Sequence, residues 1–366
     1  MRVLGLRLHQ YRNFDRQEVD FCNGTNLIFG NNGQGKTNLL EAVYLLGYGR
    51  SFRTAIPKEC IRHGSRECRL EGDIEAGDSC RELAVSIDLT GQKRLALYGK
   101  PVRLEEFIGN LHVLAFTQEH LKVVRGGPAE RRAFLDRGMI AAYPGHVVRL
   151  AAYARTLKQR NRLLGEALAG AKRLDRDLLD AWDDQLVNEG TPILWKRWRY
   201  VEELKEELKY PLGGNEELEI AYASTAGAGP GSIREIEDKF RLLLKESRGF
   251  DERTGHTHRG PHRDNLTLSL NGRSLGDFGS AGQQRSSLIS LYFAQMEIHR
   301  RLHGRYPVFL MDDVDAELDD RRLQSFLEHI TRKTQTFLTT AKERLLPAFG
   351  PDLRRYLISR GTIRVS

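Results

Sequence analysis

The spacing of apolar residues changes along the chain, and each change predicts a different kind of element. In the N-terminal stretch VLGLRLHQY, Leu4, Leu6 and Leu8 recur at every second position, which predicts a half-buried strand because alternate side chains share one face of a sheet. Leu27 to Phe29 is a short apolar run of the kind found in buried strands, and from Asn38 onward the text is apolar on nearly every side, as in a buried helix. Residues 67 to 100 hold alternating stretches, CRLEGDI and ELAVSIDL, separated by Gly-Asp and Gly-Gln turns, which is antiparallel strand chemistry. From about 119 to 250 the period becomes helical. Leu150, Tyr153, Leu157, Leu164 and Leu168 share one face there, and Arg155, Lys158 and Arg162 share another. The stripe of Val201, Leu204 and Leu208 in VEELKEELKY reads as a solvated helix. GGNEELEIAYASTAGAGPGS then predicts a short strand and a glycine-rich boundary, after which NLTLSLNG and the run Val308 to Met311 resume strand character. The organisation expected is an α/β domain assembled from residues 1–118 and 251–366, with an antiparallel β subdomain and an inserted helical arm at 119–250.

Composition narrows the class. A chain of 366 residues is long enough for two domains with cores of ordinary size. No apolar run approaches the roughly 18 residues of a membrane span, and the N-terminus has no continuous apolar stretch, so a cytoplasmic protein without a membrane partner is expected. Cys22, Cys60, Cys68 and Cys80 show no C-x-x-C spacing, which favours reduced thiols over a disulfide framework or a zinc site. The net charge of +8 is unevenly spread: residues 119–173 carry twelve Lys and Arg against four acids, whereas 174–250 carry eleven against seventeen. That asymmetry points to a binding face for an anionic partner, backed by a solvated one.

The most specific chemistry lies between the strand at Leu27 and the helix at Asn38. Gly30 to Thr37 spells G-x-x-x-x-G-K-T, a phosphate-binding loop. Glycines let successive backbone N–H groups turn inward around phosphate oxygens, and the helix start adds partial positive charge. Lys36 reaches the β and γ phosphates and the Thr37 hydroxyl ligates magnesium; Gly30, Asn31, Asn32, Gly33, Gln34, Gly35 and Asn38 complete the expected nucleotide site. In RYPVFLMDDVDAELDD a buried strand ends in two acids, with Asp312 on the metal side and Asp313 as the base for attacking water. Upstream, Ser280, Ala281, Gly282 and Gln283 head an amphipathic helix, where a hydroxyl and N–H groups form a second anion site. His256, His258 and His262 lack a complementary ligand set and stand beside Arg259 and Arg263, which argues against zinc there. Trp195 and Trp198 in WKRWRY would suit a stacking platform for single strands, although at helical spacing such residues more often pack in a core.

One chain does not readily use both anion sites on one nucleotide, and here the sequence resembles the ABC-type ATPases, in which the signature helix of one subunit caps the γ-phosphate held by its partner. The order of phosphate loop, helical insertion, signature and acidic strand resembles the DNA-working branch that includes the SMC proteins. YRNF at 11–14, GRSFR at 49–53, GGPAERRAFLD at 126–136, LKQRN at 157–161 and THRGPHRDNL at 257–266 resemble the RecF family of bacterial recombination mediators over essentially the whole chain. The resemblance implies ATP and Mg2+ as cofactors and a weak, DNA-stimulated ATPase that forms an ATP-dependent homodimer. It further implies duplex and gapped DNA as targets, RecR as partner, and RecA loading in recombinational repair and the SOS response as outcome. It assigns catalytic roles to Lys36, Asp312, Asp313 and Ser280, with Gly282 and Gln283 acting in trans. Three positions depart from the pattern: Ala281 replaces a glycine of transporter signatures, Ala316 replaces a serine, and Gln118 occupies a position where the family commonly has proline. DNA is expected on the arm at Arg155, Lys158 and Arg162, or on the head near Arg12, Arg50 and Arg53. The alternatives are an ATP-gated clamp in which hydrolysis is incidental, an SMC-like structural head, and a transporter ATPase, the last disfavoured by the basic insertion.

Overall fold

The computed structural model describes residues 1–77, 79–171, 173–208, 216–314, 327–328, 330, 333–342 and 353–366. The chain divides into two compact units: Met1–Leu121 with Ala281–Ser366, and Lys122–Lys209 with Asn215–Ser280. Among the described residues no helix is long and apolar enough to cross a membrane.

The first unit holds two six-stranded sheets. One is antiparallel throughout and includes Arg2–Tyr11, Glu67–Ala76 and Ser79–Asp88 as neighbours, as the alternating stretches predict. The N-terminal strand corrects the simple alternation. Its pairing shifts between Val3 and Gly5, so Val3, Leu6 and Leu8 are buried while Leu4 is only half-buried. A one-residue irregularity inverts the faces on its two sides, because side chains alternate with period two. The other sheet runs Thr362–Val365, Leu353–Ser359, Thr25–Phe29, Thr336–Thr340, Val308–Met311 and Val113–Phe116, parallel except for the hairpin at its first edge. Helix Lys36–Tyr48 packs on strands of both sheets and is buried along nearly its whole length. This explains why its sequence is apolar on every side.

The second unit is built on helices Pro128–Ala142, His146–Leu168, Arg176–Glu207 and Ile233–Thr254, but it is not purely helical. Strands Leu218–Ala223, Asn265–Leu270 and Arg273–Ser274 form a three-stranded sheet within it. Because Asn265–Leu270 pairs along its full length with Leu218–Ala223, residues 251–280 belong with the insertion. The sequence places the return to the first unit near 251, whereas the pairing places it after Ser280. The glycine-rich stretch read as a boundary is also internal. Thr225 donates from its backbone N–H and its hydroxyl to Asp264, at 2.6 and 3.0 Å.

Tyr153, Leu186, Ile193, Leu194, Phe240 and Leu244 are the centre of this unit's core, with Leu150, Leu157 and Trp195 packed against it. Trp195 thus follows the core reading, with the Arg199 guanidinium lying over its ring. Arg160 is fully buried and donates to Asp183 at 2.5 Å, to Asp251 at 2.8 Å and to the Thr257 hydroxyl at 2.7 Å. Arg197 is held by Asp136 at 2.9 and 2.8 Å, and Arg131 and Arg132 donate to Asn265 and to the Asp264 carbonyl. Part of the basic excess of residues 119–173 is therefore internal wiring. Arg155, Lys158 and Arg162 are exposed, Arg162 pairing with Glu166 one turn on at 2.7 Å.

Candidate nucleotide-binding site

The loop between strand Thr25–Phe29 and helix Lys36–Tyr48 is shaped by its glycines. Gly30, Gly33 and Gly35 have φ of 143°, 77° and 113°, conformations that side-chain-bearing residues rarely adopt. At two of them space is short as well. A Cβ on Gly30 would lie 2.3 Å from the Ile358 carbonyl oxygen, and one on Gly35 would lie 2.6 Å from the Asn13 amide. A third neighbour closes the turn from the other side, since Arg360 donates its backbone N–H to Gln34 Oε1 at 2.6 Å.

Lys36 is buried, and its ammonium donates to the carbonyl oxygens of Gly30 and Asn31 at 2.8 and 3.2 Å and to Asn32 Oδ1 at 3.4 Å. The loop thus curls around the charge that a phosphate would share, while Asn31, Asn32 and Gly33 are exposed. Thr37 Oγ1 donates to both oxygens of Asp312, at 3.0 and 2.8 Å. Asp312 also accepts from Thr339 Oγ1 at 2.7 Å. These three residues stand at the carboxyl ends of adjacent parallel strands or at the helix start that follows one of them, with Thr336–Thr340 lying between the other two strands. Ligands of open α/β sheets bind at that end. A hydroxyl and a carboxylate in contact form an all-oxygen donor pair, the chemistry that suits magnesium.

Asp313 follows with φ of 48° and donates its backbone N–H to the same Thr339 hydroxyl at 2.7 Å. Aspartate tolerates this left-handed conformation better than most residues. Gln118 is exposed just beyond strand Val113–Phe116, whose Phe116 carbonyl accepts from the Asp312 N–H at 2.9 Å. Ser280 is exposed and directly precedes helix Ala281–His303, on which Gly282 and Gln283 are half-buried in the first turn. Ala316 lies outside the described residues.

Several site residues were not singled out for this role by the sequence. Asn13 donates to the Gln34 carbonyl at 2.7 Å and accepts from Asn38 Nδ2 at 2.8 Å, so it fastens the phosphate loop to its helix. Glu41, fully buried on that helix, takes Arg12 in a two-pronged pair at 2.9 and 2.6 Å and accepts from the Ser51 hydroxyl. Arg53 donates to Asn38 Oδ1 at 2.6 Å and stands 3.8 Å from Glu41. Arg12 is therefore committed to a buried partner rather than offered to DNA. Arg53 is tied to the phosphate-loop helix, and Arg50 beside it is exposed. The only signals in the sequence are the YRNF stretch, which contains Asn13 and brings Glu41 its Arg12, and the GRSFR stretch, which brings Glu41 its Ser51 and Arg53.

THRGPHRDNL belongs to the second unit rather than the head. His262 accepts the Tyr153 hydroxyl on Nδ1 at 2.6 Å and donates from Nε2 to the Thr257 carbonyl at 3.1 Å. Burial, with help from Arg263 and Arg132, pushes its pKa down to about 4. His258 faces Asp251 at 2.9 Å, so this histidine group is structural wiring of the second unit.

Comparison with known proteins identifies the family of the chain. The family model for the RecF/RecN/SMC N terminal domain matches residues 2–353. The chain is similar to the DNA replication and repair protein RecF of Oenococcus oeni, 36% identical over 93% of both chains. It is 35% identical to the protein of that name from Bacillus subtilis, again over 93% of both. Among solved structures it is similar to the recombination mediator protein RecF with ATP from the RecFOR pathway, with a TM-score of 0.90, 30% identity, and coverage of 100% of this chain and 97% of that one. An Smc head domain from Pyrococcus furiosus shares the fold at a TM-score of 0.56 and 13% identity, over 100% and 95% of the two chains.

Proposed function

The chain belongs to the RecF/RecN/SMC N-terminal domain family and, within it, to the RecF proteins of DNA replication and repair, and from that membership we propose that it is an ATP-dependent recombination mediator. Its fold is that of an ABC-type ATPase head with an antiparallel β subdomain and an insertion. The observation that carries the reading is the convergence of Lys36, Thr37 and Asp312 around a loop whose glycines leave no room for side chains at Gly30 and Gly35.

In this reading Lys36 turns part of its hydrogen bonding from the loop carbonyls to the β and γ phosphates of ATP. Asn31 to Lys36 offer backbone N–H groups to the same oxygens. Thr37 and Asp312 hold Mg2+, which when bound neutralises phosphate charge. Asp313 orients the attacking water. Ser280, Gly282 and Gln283 cap the γ-phosphate held by a second copy, so ATP closes a homodimer and slow hydrolysis reopens it. Duplex and gapped DNA are the targets, RecR the partner and RecA loading the outcome; the site of action is the cytoplasm.

The test is nucleotide binding and sizing of Lys36→Ala. The γ-phosphate adds charge that Lys36 feels, so the variant should lose more affinity for ATP than for ADP and form no ATP-dependent dimer. Equal loss for both nucleotides would refute γ-phosphate sensing.

A second reading, an ATP-gated clamp in which hydrolysis is incidental, rests on Asp313. Its carboxylate is one methylene shorter than the glutamate usual in transporter ATPases, and its backbone is pinned to Thr339. Asp313→Asn separates the two readings. If hydrolysis matters, ATP binding and dimerisation persist while DNA release and repair fail; if repair is unimpaired, the clamp reading stands.

A further inference from the structure

At the opposite end of the parallel sheet from Asp312, three histidines meet within the first unit. His112 stands just before strand Val113–Phe116, and its carbonyl accepts from Val308 N–H at 2.9 Å, which places it at the amino ends of these strands. His299 and His303 are four residues apart in the last turns of helix Ala281–His303, and that spacing puts both on one face. The three rings approach with centroids 4.5 to 4.8 Å apart. One potential ligand atom from each lies within 4.8 Å of the others, the one such group of three or more His, Cys, Asp or Glu among the described residues.

The hydrogen bonding of His299 prepares one of these nitrogens. Its Nδ1 lies 2.8 Å from the Arg305 carbonyl oxygen, which can only accept, so Nδ1 carries the proton and Nε2 the lone pair. That Nε2 is buried and has no hydrogen-bond partner, on a residue only 1% exposed. A histidine fixed through Nδ1–H to a backbone carbonyl, which leaves the lone pair on its other ring nitrogen, is the arrangement by which proteins orient metal ligands.

We propose that His112, His299 and His303 form a three-imidazole site for a borderline divalent metal ion of the zinc class. Neutral imidazole suits zinc, copper and nickel rather than magnesium, and three ligands leave the fourth position of a tetrahedron for water. Nitrogens on a tetrahedral zinc ion sit roughly 3.3 Å apart for bonds of about 2.0 Å, so ligand atoms that lie within 4.8 Å of one another here close by up to about 1.5 Å on binding. The carbonyl end of the helix adds favourable negative potential. Arg305 opposes a cation by its charge, but its guanidinium reaches toward Gly77 while its carbonyl serves His299. Helix Ala281–His303 begins immediately after Ser280, so a metal here would tie the far end of the signature helix to the sheet.

The test uses the full-length chain, stripped with a chelator and kept in excess Mg2+ to occupy oxygen sites. Zn2+ is titrated against a chromophoric indicator, and Co2+ is added separately to read the visible bands of a tetrahedral site. One equivalent of Zn2+, tetrahedral Co2+ bands, and at least a roughly tenfold loss of affinity in His303→Ala are expected, with the exposed His63→Ala unchanged. His303 is only half-buried, which lets the variant fold, and thermal unfolding checks this. The wild-type Co2+ spectrum decides independently of any variant. No stoichiometric Zn2+ in the wild type, or binding that survives both His303→Ala and His112→Gln, overturns the proposal.

Discussion

Thr37 and Asp312 lie 275 positions apart in the sequence, yet the Thr37 hydroxyl donates to both Asp312 oxygens, at 3.0 and 2.8 Å. The contact joins the first residues of the phosphate-loop helix to the end of a strand two places away in the sheet. Removing it with Thr37→Ala should raise the Mg2+ needed for ATP binding by about tenfold, equivalent to about 1.4 kcal/mol. Asp312 keeps Thr339 as donor, so stability should fall by only about 1 kcal/mol. Magnesium titrations of ATP binding, beside the Thr37→Ser control, check this; an unchanged requirement would remove Thr37 from the metal.

Ser280 tests the arrangement in trans. If Ser280 serves the partner's nucleotide as proposed, Ser280→Arg should leave ATP binding to the monomer nearly unchanged and should abolish ATP-dependent dimers by filling the capping position with a bulky cation. Sizing by light scattering with and without ATP reads the result. Normal dimerisation of the variant would exclude the sandwich.

The exposed face of Arg155, Lys158 and Arg162 is the candidate for DNA. Each lost phosphate contact lowers the log–log salt slope by about 0.9 for duplex DNA, so the triple alanine variant should lower it by about 2 to 3 units. Arg162 already pairs with Glu166, which places the expected value nearer 2. Should the slope stay unchanged and fall instead in Arg50→Ala plus Arg53→Ala, DNA lies on the head. Arg12 is left out of that pair because its partner is the buried Glu41.

Arg160, by contrast, should act on stability and not on DNA. Arg160→Ala leaves Asp251 buried without its cation, and one-sided removal from a buried ion pair costs about 3 to 5 kcal/mol. Asp183 retains Arg248 at 2.5 Å, which places the expected loss at the lower end. Denaturant unfolding measures it. A stable variant with a reduced salt slope would mean that Arg160 reaches phosphate.

His262 gives the second unit a pH dependence. Its folded pKa lies near 4, below the ordinary 6.5, chiefly through burial, with Arg263 and Arg132 adding to the shift and the Thr257 bond and Asp251 opposing it. The native state thus binds fewer protons than the unfolded chain between these values. The His262 contribution is complete above pH 6.5 and is lost as pH falls toward about 4, to the extent of roughly 3 kcal/mol. His262→Gln should flatten the stability profile in that window. A slope equal to that of the wild type would show that other groups carry the dependence.

The sequence by itself determined what contiguous residues can encode. Gly30, Gly33 and Gly35 make a turn that only glycine adopts readily, Lys36 and Thr37 sit where that turn opens into a helix, and Val308 to Met311 is too apolar to be anything but buried. These are local consequences of backbone sterics and burial, so they survive without knowledge of the fold. What only the tertiary structure decided concerns partners far apart in the chain. Arg160 and Arg155 are both arginines on one helix, and nothing in their spacing says that the first meets Asp183 and Asp251 while the second faces water. Asn13 becomes a clamp on Gln34 and Asn38 only when its strand arrives beside the loop, and Thr339 joins Asp312 only because its strand lies next in the sheet. Residues 265–270 alternate like any strand; the assignment of residues 251–280 to the insertion follows the backbone hydrogen bonds of that strand to Leu218–Ala223. A strand's sequence specifies which face is buried, but the choice of neighbour is made by the packing of the whole sheet.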